Sequence, residues 1–192
     1  MKRKTTLPIG RKNKFLVILV GKSGVGKDSF LRYMKLEDYS YKISARVRQE
    51  LIDKGLPVNH NTVQPIMHQR YKENPYWQIP YILDKLDKKK LLIVNGCRSL
   101  LEIKKLIELY PGALVVEIRA STSIRRERLN TRDGTDQFHF KEVEKDEGEA
   151  TDLPKILEED LVDIVIMNNG SLKTLKLKSE KFVLLLSPYL NK

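Results

Sequence analysis

Short apolar runs and amphipathic stretches alternate along this chain. Residues 15–20 (FLVILV) are six consecutive apolar positions, and related runs recur at 91–94 (LLIV), 114–118 (LVVEI) and 162–167 (VDIVIM). Residues 39–44 (YSYKIS) alternate polar and apolar. Apolar runs of this length, bounded by turn residues, read as strands buried on both faces of a parallel sheet. Helical spacing fills the intervals at 27–36, 45–54, 62–72, 75–88, 100–109, 121–132 and 171–186. Gly55 stops the second of these, Pro111-Gly112 follows the fifth, and Pro80 predicts either a kink in 75–88 or a later start. Residues 136–160 hold ten acids against three lysines, with no sustained apolar period outside 153–157. No element is assigned there.

Five strands alternating with helices predict an α/β fold of three layers, with a five-stranded parallel sheet covered on both faces. A chain of 192 residues suits one such domain, over 15–192. Ligands of these sheets bind beyond the carboxyl ends of the strands. One rim is therefore expected from residues 22–27, 44–48, 95–98, 119–121 and 168–169.

The first strand runs into Gly21-Lys22-Ser23-Gly24-Val25-Gly26-Lys27-Asp28-Ser29, with helix formers beyond. Glycines let the backbone approach an anion, successive N–H groups wrap phosphates, and the next helix adds its positive end. Lys27 adds a full charge at the β/γ-phosphates. The spacing Gly21-x-x-x-x-Gly26-Lys27 matches a P-loop up to its last position, where a Mg²⁺-binding Ser or Thr is replaced by Asp28. Residues 21–29 are thus the expected nucleotide site, with ATP and Mg²⁺ as its ligands. No Asn/Thr-Lys-x-Asp motif reads a guanine. Asn95-Gly96 stands where a motor ATPase would carry an Asp-Glu pair.

Arg125, Arg126, Arg128 and Arg132 share a helix that ends at Asp133-Gly134. At a rim position they suit a mobile lid, roughly 121–150, that brings Arg125, Arg128 and Arg132 over a transferring phosphate; the bland alternative is a solvated basic helix.

Composition refines this picture modestly. The net charge is +11, but Lys2, Arg3, Lys4, Arg11, Lys12 and Lys14 supply six of it and leave +5 for the body. Residues 1–14 read as a flexible basic tail with weak, nonspecific affinity for nucleic acid, and the remaining charge suits small polyanions. A single cysteine, Cys97, excludes an internal disulfide and reads as a packing residue. No apolar run approaches the roughly 20 residues of a membrane span, and polar residues follow Met-Lys-Arg-Lys, so the cytoplasm is the expected compartment. His60, His68 and His139 show no metal-ligand spacing, and Tyr76, Trp77 and Tyr81 are either core or a base-stacking set.

The chain resembles P-loop small-molecule kinases of the nucleoside-monophosphate-kinase type. It looks closest to the archaeal adenylate-kinase-related, dephospho-CoA-kinase-like proteins, on Gly26-Lys27-Asp28, Asn95-Gly96-Cys97-Arg98-Ser99, the Arg125 to Arg132 segment and Asn168-Asn169-Gly170-Ser171. The resemblance covers most of residues 14–180. It implies transfer of the ATP γ-phosphate to a small phosphorylated acceptor, with a nucleoside or deoxynucleoside monophosphate as first choice. Arg48 and Arg98 match the family's acceptor-phosphate arginines by position; the plain alternative for each is a surface ion pair. Dephospho-CoA and phosphomevalonate kinases share the Gly-Lys-Asp loop, so the acceptor stays open. The family pattern has an acid where this chain has Asn95, which leaves Asp28 as the nearby carboxylate and Asn95 as a ligand through water. A non-catalytic nucleotide-binding protein is the reading that follows if this change abolishes transfer.

Overall fold

A computed structural model describes residues 14–133, 137–149, 151–158 and 160–190; the side chains of residues 132, 133, 137–139, 146 and 149 also lie outside the described set. The basic tail before Lys14, Gly134 and the side chains of Arg132 and His139 therefore lie outside the described residues. Lys14 itself forms an ion pair with Asp87 at 2.8 Å.

The chain runs β1 (Phe15–Val20), α1 (Lys27–Met34), β2 (Ser40–Lys42), α2 (Ala45–Asp53), α3 (His60–Glu73), α4 (Ile79–Asp87), β3 (Leu91–Asn95), α5 (Leu100–Leu109), β4 (Leu114–Arg119), α6 (Thr122–Asp133), α7 (Gln137–Glu149), α8 (Leu153–Glu158), β5 (Ile164–Met167) and α9 (Leu172–Leu186). All strand pairs are parallel, in the order β2-β3-β1-β4-β5. Central β1 is buried at every position. That burial explains its unbroken apolar run: with helices on both faces, neither side of the strand meets water. Alternate side chains feed two cores. Leu16, Ile18 and Val20 join residues of α2–α5 and α8, whereas Phe15, Val17 and Leu19 join α1 and α9. After β1 the chain crosses to β2 on one side of the sheet, and after β3 it passes to β4 on the other. The loop after β1 thus lies at the point where strand order reverses, which is where such sheets leave a crevice.

Several boundaries differ from expectation for local reasons. The helix predicted over 75–88 starts at Ile79, with Pro80 in its first turn, where a missing N–H costs no bond. The alternating 39–44 segment contributes three strand residues, because a 3-10 turn at Glu37–Tyr39 leads into it. α3 starts at His60 rather than residue 62, through a reciprocal cap in which Asn59 and Thr62 satisfy each other's backbone N–H groups. The acid-rich segment forms α7 and α8. Phe140 and Val143 of α7 pack on Leu129 of α6, forming a small cluster separate from the two main cores. Among the described residues, no helix is long and apolar enough to cross a membrane.

Candidate active site

Three glycines in the loop have positive φ: +137° at Gly21, +79° at Gly24 and +96° at Gly26. The first and last show why no side chain is tolerated. A Cβ on Gly21 would lie 2.4 Å from the Ile118 carbonyl oxygen of β4, and one on Gly26 would lie 2.6 Å from Asn168 Nδ2. The loop is held from the β4–β5 side of β1. Asn168, just beyond β5, donates to the Val25 carbonyl at 2.8 Å, and Arg128 of α6 donates to the Asn168 carbonyl at 3.1 Å. Arg128 therefore braces the outer side of the loop. Lys27 turns back and donates to the carbonyls of Gly21 at 2.5 Å and Lys22 at 3.0 Å. Burial, together with the charge of nearby Arg98, pushes its ammonium down to about 8.

Glu147 of α7 occupies the mouth of the loop. Its carboxylate, in a residue 1% exposed, accepts from the Ser23 N–H and the Ser23 hydroxyl, each at 2.7 Å. Two arginines close on it: Arg98 donates at 2.9 Å and Arg125 at 3.2 Å. Arg125 is 2% exposed and spans the cluster, donating also to the Ser23 carbonyl at 2.8 Å and to Glu144 at 2.5 Å. Lys22 completes the network with an ion pair to Glu144 at 3.5 Å. Each buried charge has an opposite charge and further hydrogen bonds, the condition under which such groups are tolerated.

Asp28, at the exposed start of α1, accepts from Asn95 Nδ2 and from Lys42 Nζ, both at 2.8 Å. Burial alone would raise its carboxyl, but the hydrogen bond and charge of Lys42, with Asn95 and Lys27, hold it below the usual carboxylate range. The other Asn95 atom, Oδ1, is buried without a partner among the described residues. Such an orphan acceptor beside a carboxylate fits an ion or its bound water. No group of three His, Cys, Asp or Glu that could hold a metal occurs among the described residues. Ser29 stands behind Asp28 on α1, half-buried.

Arg98 joins the loop to a cavity of about 370 Å³ beneath α3 and α7, lined in part by Ile43, Met67, Tyr71, Gly96, Arg98 and Thr151. One guanidinium nitrogen holds Ser23 and Glu147, while Nη1 is buried without a partner among the described residues. Behind Tyr71 lies Glu102, fully buried, which accepts from the Tyr71 hydroxyl at 3.0 Å and the Cys97 thiol at 2.8 Å. Burial pushes the Glu102 carboxyl up to about 7 against the pull of these two bonds, and raises the Cys97 thiol well above its ordinary range. Arg48 lies apart, half-buried on α2, with its Nε 3.3 Å from the Ser44 hydroxyl. Arg46 lies over the Tyr81 ring at 3.8 Å, and Trp77 meets Tyr71 edge-on.

The structure thus brings Lys22, Ser23, Lys27, Arg98 and Arg125 to one cluster and sets Asp28 with Asn95 on its flank. Arg128 is placed behind the loop and Arg48 at a separate rim position. Glu144 and Glu147 had no sequence signal of a site, since each lies in a run of charges that resembles a solvated face. The nearest hint is that Glu144 and Glu147 each follow an apolar residue, Phe140 and Val143, by four positions.

A family model described as an AAA domain matches residues 17–152. No curated protein matches the sequence. Among solved structures, TT1252 from Thermus thermophilus superposes with a TM-score of 0.56 at 15% identity, covering 94% of this chain and 100% of that one. A sugar kinase from Janibacter sp. gives 0.51 at 13% identity, with 93% and 99% covered. At such identities the likeness speaks for the fold, an all-parallel five-stranded sheet with helices on both faces in the P-loop kinase arrangement. With its matched stretch running from within β1 through the phosphate loop to the end of α7, the chain belongs to the AAA domain family.

Proposed function

We propose that the protein is an ATP-dependent phosphotransferase whose acceptor is a small phosphorylated molecule, with a nucleoside or deoxynucleoside monophosphate as first choice. The observation that carries this reading is Arg98. It reaches the phosphate loop through one nitrogen, it is one of the residues that line the adjoining cavity, and its Nη1 is buried without a partner among the described residues. A guanidinium between donor and acceptor sites can bind a phosphate on either, and a buried N–H left unpaired costs about 1–3 kcal/mol until an anion satisfies it.

In this reading the loop amides and Lys27 hold the β- and γ-phosphates, and Lys27 offsets charge that grows at the bridging oxygen. Arg98 holds the acceptor phosphate, with Arg48 at the outer rim. Arg125, once released from its glutamates, and Arg132 are the lid groups that steady the transferring phosphoryl, while Arg128 keeps the loop in shape. Asp28, with Asn95 Oδ1 through water, is the pair that would hold Mg²⁺, which would supply further neutralisation of the phosphates. The cytoplasm is the compartment in which this activity is expected.

A turnover panel tests the acceptor: ATP consumption with nucleoside and deoxynucleoside monophosphates, dephospho-CoA, phosphomevalonate and neutral sugars. Sugars belong in it because the Janibacter neighbour is named a sugar kinase. Turnover with a phosphorylated acceptor is expected. Turnover with a neutral sugar alone would overturn the role of Arg98, and ATP binding without any turnover would favour a non-catalytic nucleotide-binding protein.

The flank predicts a metal effect. Asp28→Asn removes the carboxylate next to Asn95 and should raise the Mg²⁺ needed for half-maximal turnover about tenfold, as expected for one partly screened charge. Asn95→Asp should lower it, and excess Mg²⁺ should restore most of the Asp28→Asn rate. If excess metal restores nothing and the acidic limb of the pH profile vanishes, Asp28 instead takes a proton from an acceptor hydroxyl.

A further inference from the structure

Glu147 holds no phosphate in the function just proposed, yet it accepts two bonds of 2.7 Å from Ser23 of the loop. Its carboxylate takes the Ser23 N–H, the Ser23 hydroxyl and a nitrogen from each of Arg98 and Arg125. Two backbone or hydroxyl donors and two guanidinium groups converging on one anion form the set of contacts a phosphate oxygen would receive. Ser23 is three residues before Gly26, the residue capping α1. The occupied donor therefore lies on the side of the loop away from the helix end. A nucleotide whose inner phosphate rests on the α1 N-terminus extends its terminal phosphate toward that side.

We infer that Glu147 is the specificity-determining occupant of the γ-phosphate position: its carboxylate excludes the third phosphate of a nucleoside triphosphate while leaving room for a diphosphate. The inference rests on the phosphate-loop reading above and adds a regulator to the same site. Two anions cannot share the Ser23 N–H, so triphosphate binding requires Glu147 to leave. Its departure frees Arg98 and Arg125, both of which had been neutralised by it, at the moment a phosphate needs them. The apolar contact of α7 with α6 is the small cluster of Leu129, Phe140 and Val143, separate from both main cores, so the Glu147 side chain can withdraw without opening either core. After transfer the remaining diphosphate vacates the Ser23 side, and Glu147 returns. The closed arrangement thereby favours retention of ADP relative to ATP and restrains ATP use when the lid has no acceptor to close on.

The test is equilibrium binding of a non-hydrolysable triphosphate, AMPPNP, and of ADP to the full chain by titration calorimetry. Glu147→Gln keeps the size and one acceptor atom but removes the charge. It should tighten AMPPNP about tenfold, the factor expected if the Glu147-bound state holds about nine molecules in ten, and change ADP less than about twofold. An unchanged or weakened AMPPNP affinity, or an equal gain for both nucleotides, overturns the inference. Lys27→Ala separates this from the parent reading. If the wild type binds nucleotide through Lys27 and Glu147→Gln is without effect, the inference alone fails; if wild type and Glu147→Gln bind neither nucleotide, the phosphate-loop reading fails with it. Because Glu147→Gln removes a counter-charge from buried Arg125 and half-buried Arg98, hydrogen exchange of the wild type provides a second measurement. AMPPNP should speed exchange of the amides over 143–148 and ADP should not, and identical exchange with both nucleotides overturns the inference.

Discussion

Lys27→Ala is expected to lower phosphoryl transfer from ATP by at least about 10²–10³-fold, the usual cost of deleting one group aimed at developing charge. The structure indicates how the lost group is prepared. Its ammonium is tethered to the Gly21 and Lys22 carbonyls, so it already lies inside the loop. Burial and Arg98 push it down to about 8, which leaves the charge in place at pH 7 and removes it as pH rises through that value in the nucleotide-free protein. A polyphosphate restores the charge. Above pH 8, therefore, the complex holds more protons than the free protein, binding takes up a proton, and affinity falls as pH rises. Calorimetry at pH 8.5 in two buffers of different ionisation enthalpy measures that uptake, and Lys27→Ala should abolish it. Wild-type turnover by the alanine variant would sink the transfer mechanism.

Removing Arg125 should have the largest effect on stability. The side chain is 2% exposed and links Glu144, Glu147 and the Ser23 carbonyl. Arg125→Ala strips one positive charge from a buried network and leaves two carboxylates close together, with Arg98 as the remaining cation described at Glu147, beside its two bonds from Ser23, and Lys22 as the one described at Glu144. Breaking such a network from one side typically costs about 3–5 kcal/mol. For a chain of this size that corresponds to a Tm lower by roughly 10 °C. Thermal unfolding followed by circular dichroism checks it. Arg125→Lys should recover part of the loss, because it keeps the charge without the planar fork that serves three acceptors at once. A Tm within about 2 °C of wild type for the alanine variant would show that α7 does not pack on the loop as described.

Much of the framework was legible because it depends on local pattern. Six apolar residues in a row, running straight into a glycine loop, read as a strand covered on both faces, and the glycines that follow it meet backbone or side-chain atoms at distances no Cβ survives. Pro80 marked a helix start correctly as a place of change, since its ring removes an N–H whatever the tertiary context. Strand order was not written in any segment. It arises from which crossovers bury both faces of β1, and the pairing of β1 with β3 and β4 joins residues about 75 and 100 positions apart.

The site divides in the same way. Gly21 to Lys27 identify themselves by spacing, because the loop makes its phosphate cradle from neighbouring residues. Arg98, Arg125 and Arg128 could be named as candidates, yet their sequence neighbours do not distinguish a group that faces a cavity, one locked between two glutamates and one that braces Asn168. What each guanidinium does depends on the charge opposite it, which arrives from more than a dozen residues away. Glu147 is the sharpest instance: in the sequence it is one acid among ten in residues 136–160, and on the folded chain it sits at the Ser23 amide. Its local surroundings predict a solvated carboxylate. Packing of Phe140 and Val143 on Leu129 turns that face of α7 inward, and only this long-range contact makes Glu147 the anion of the loop.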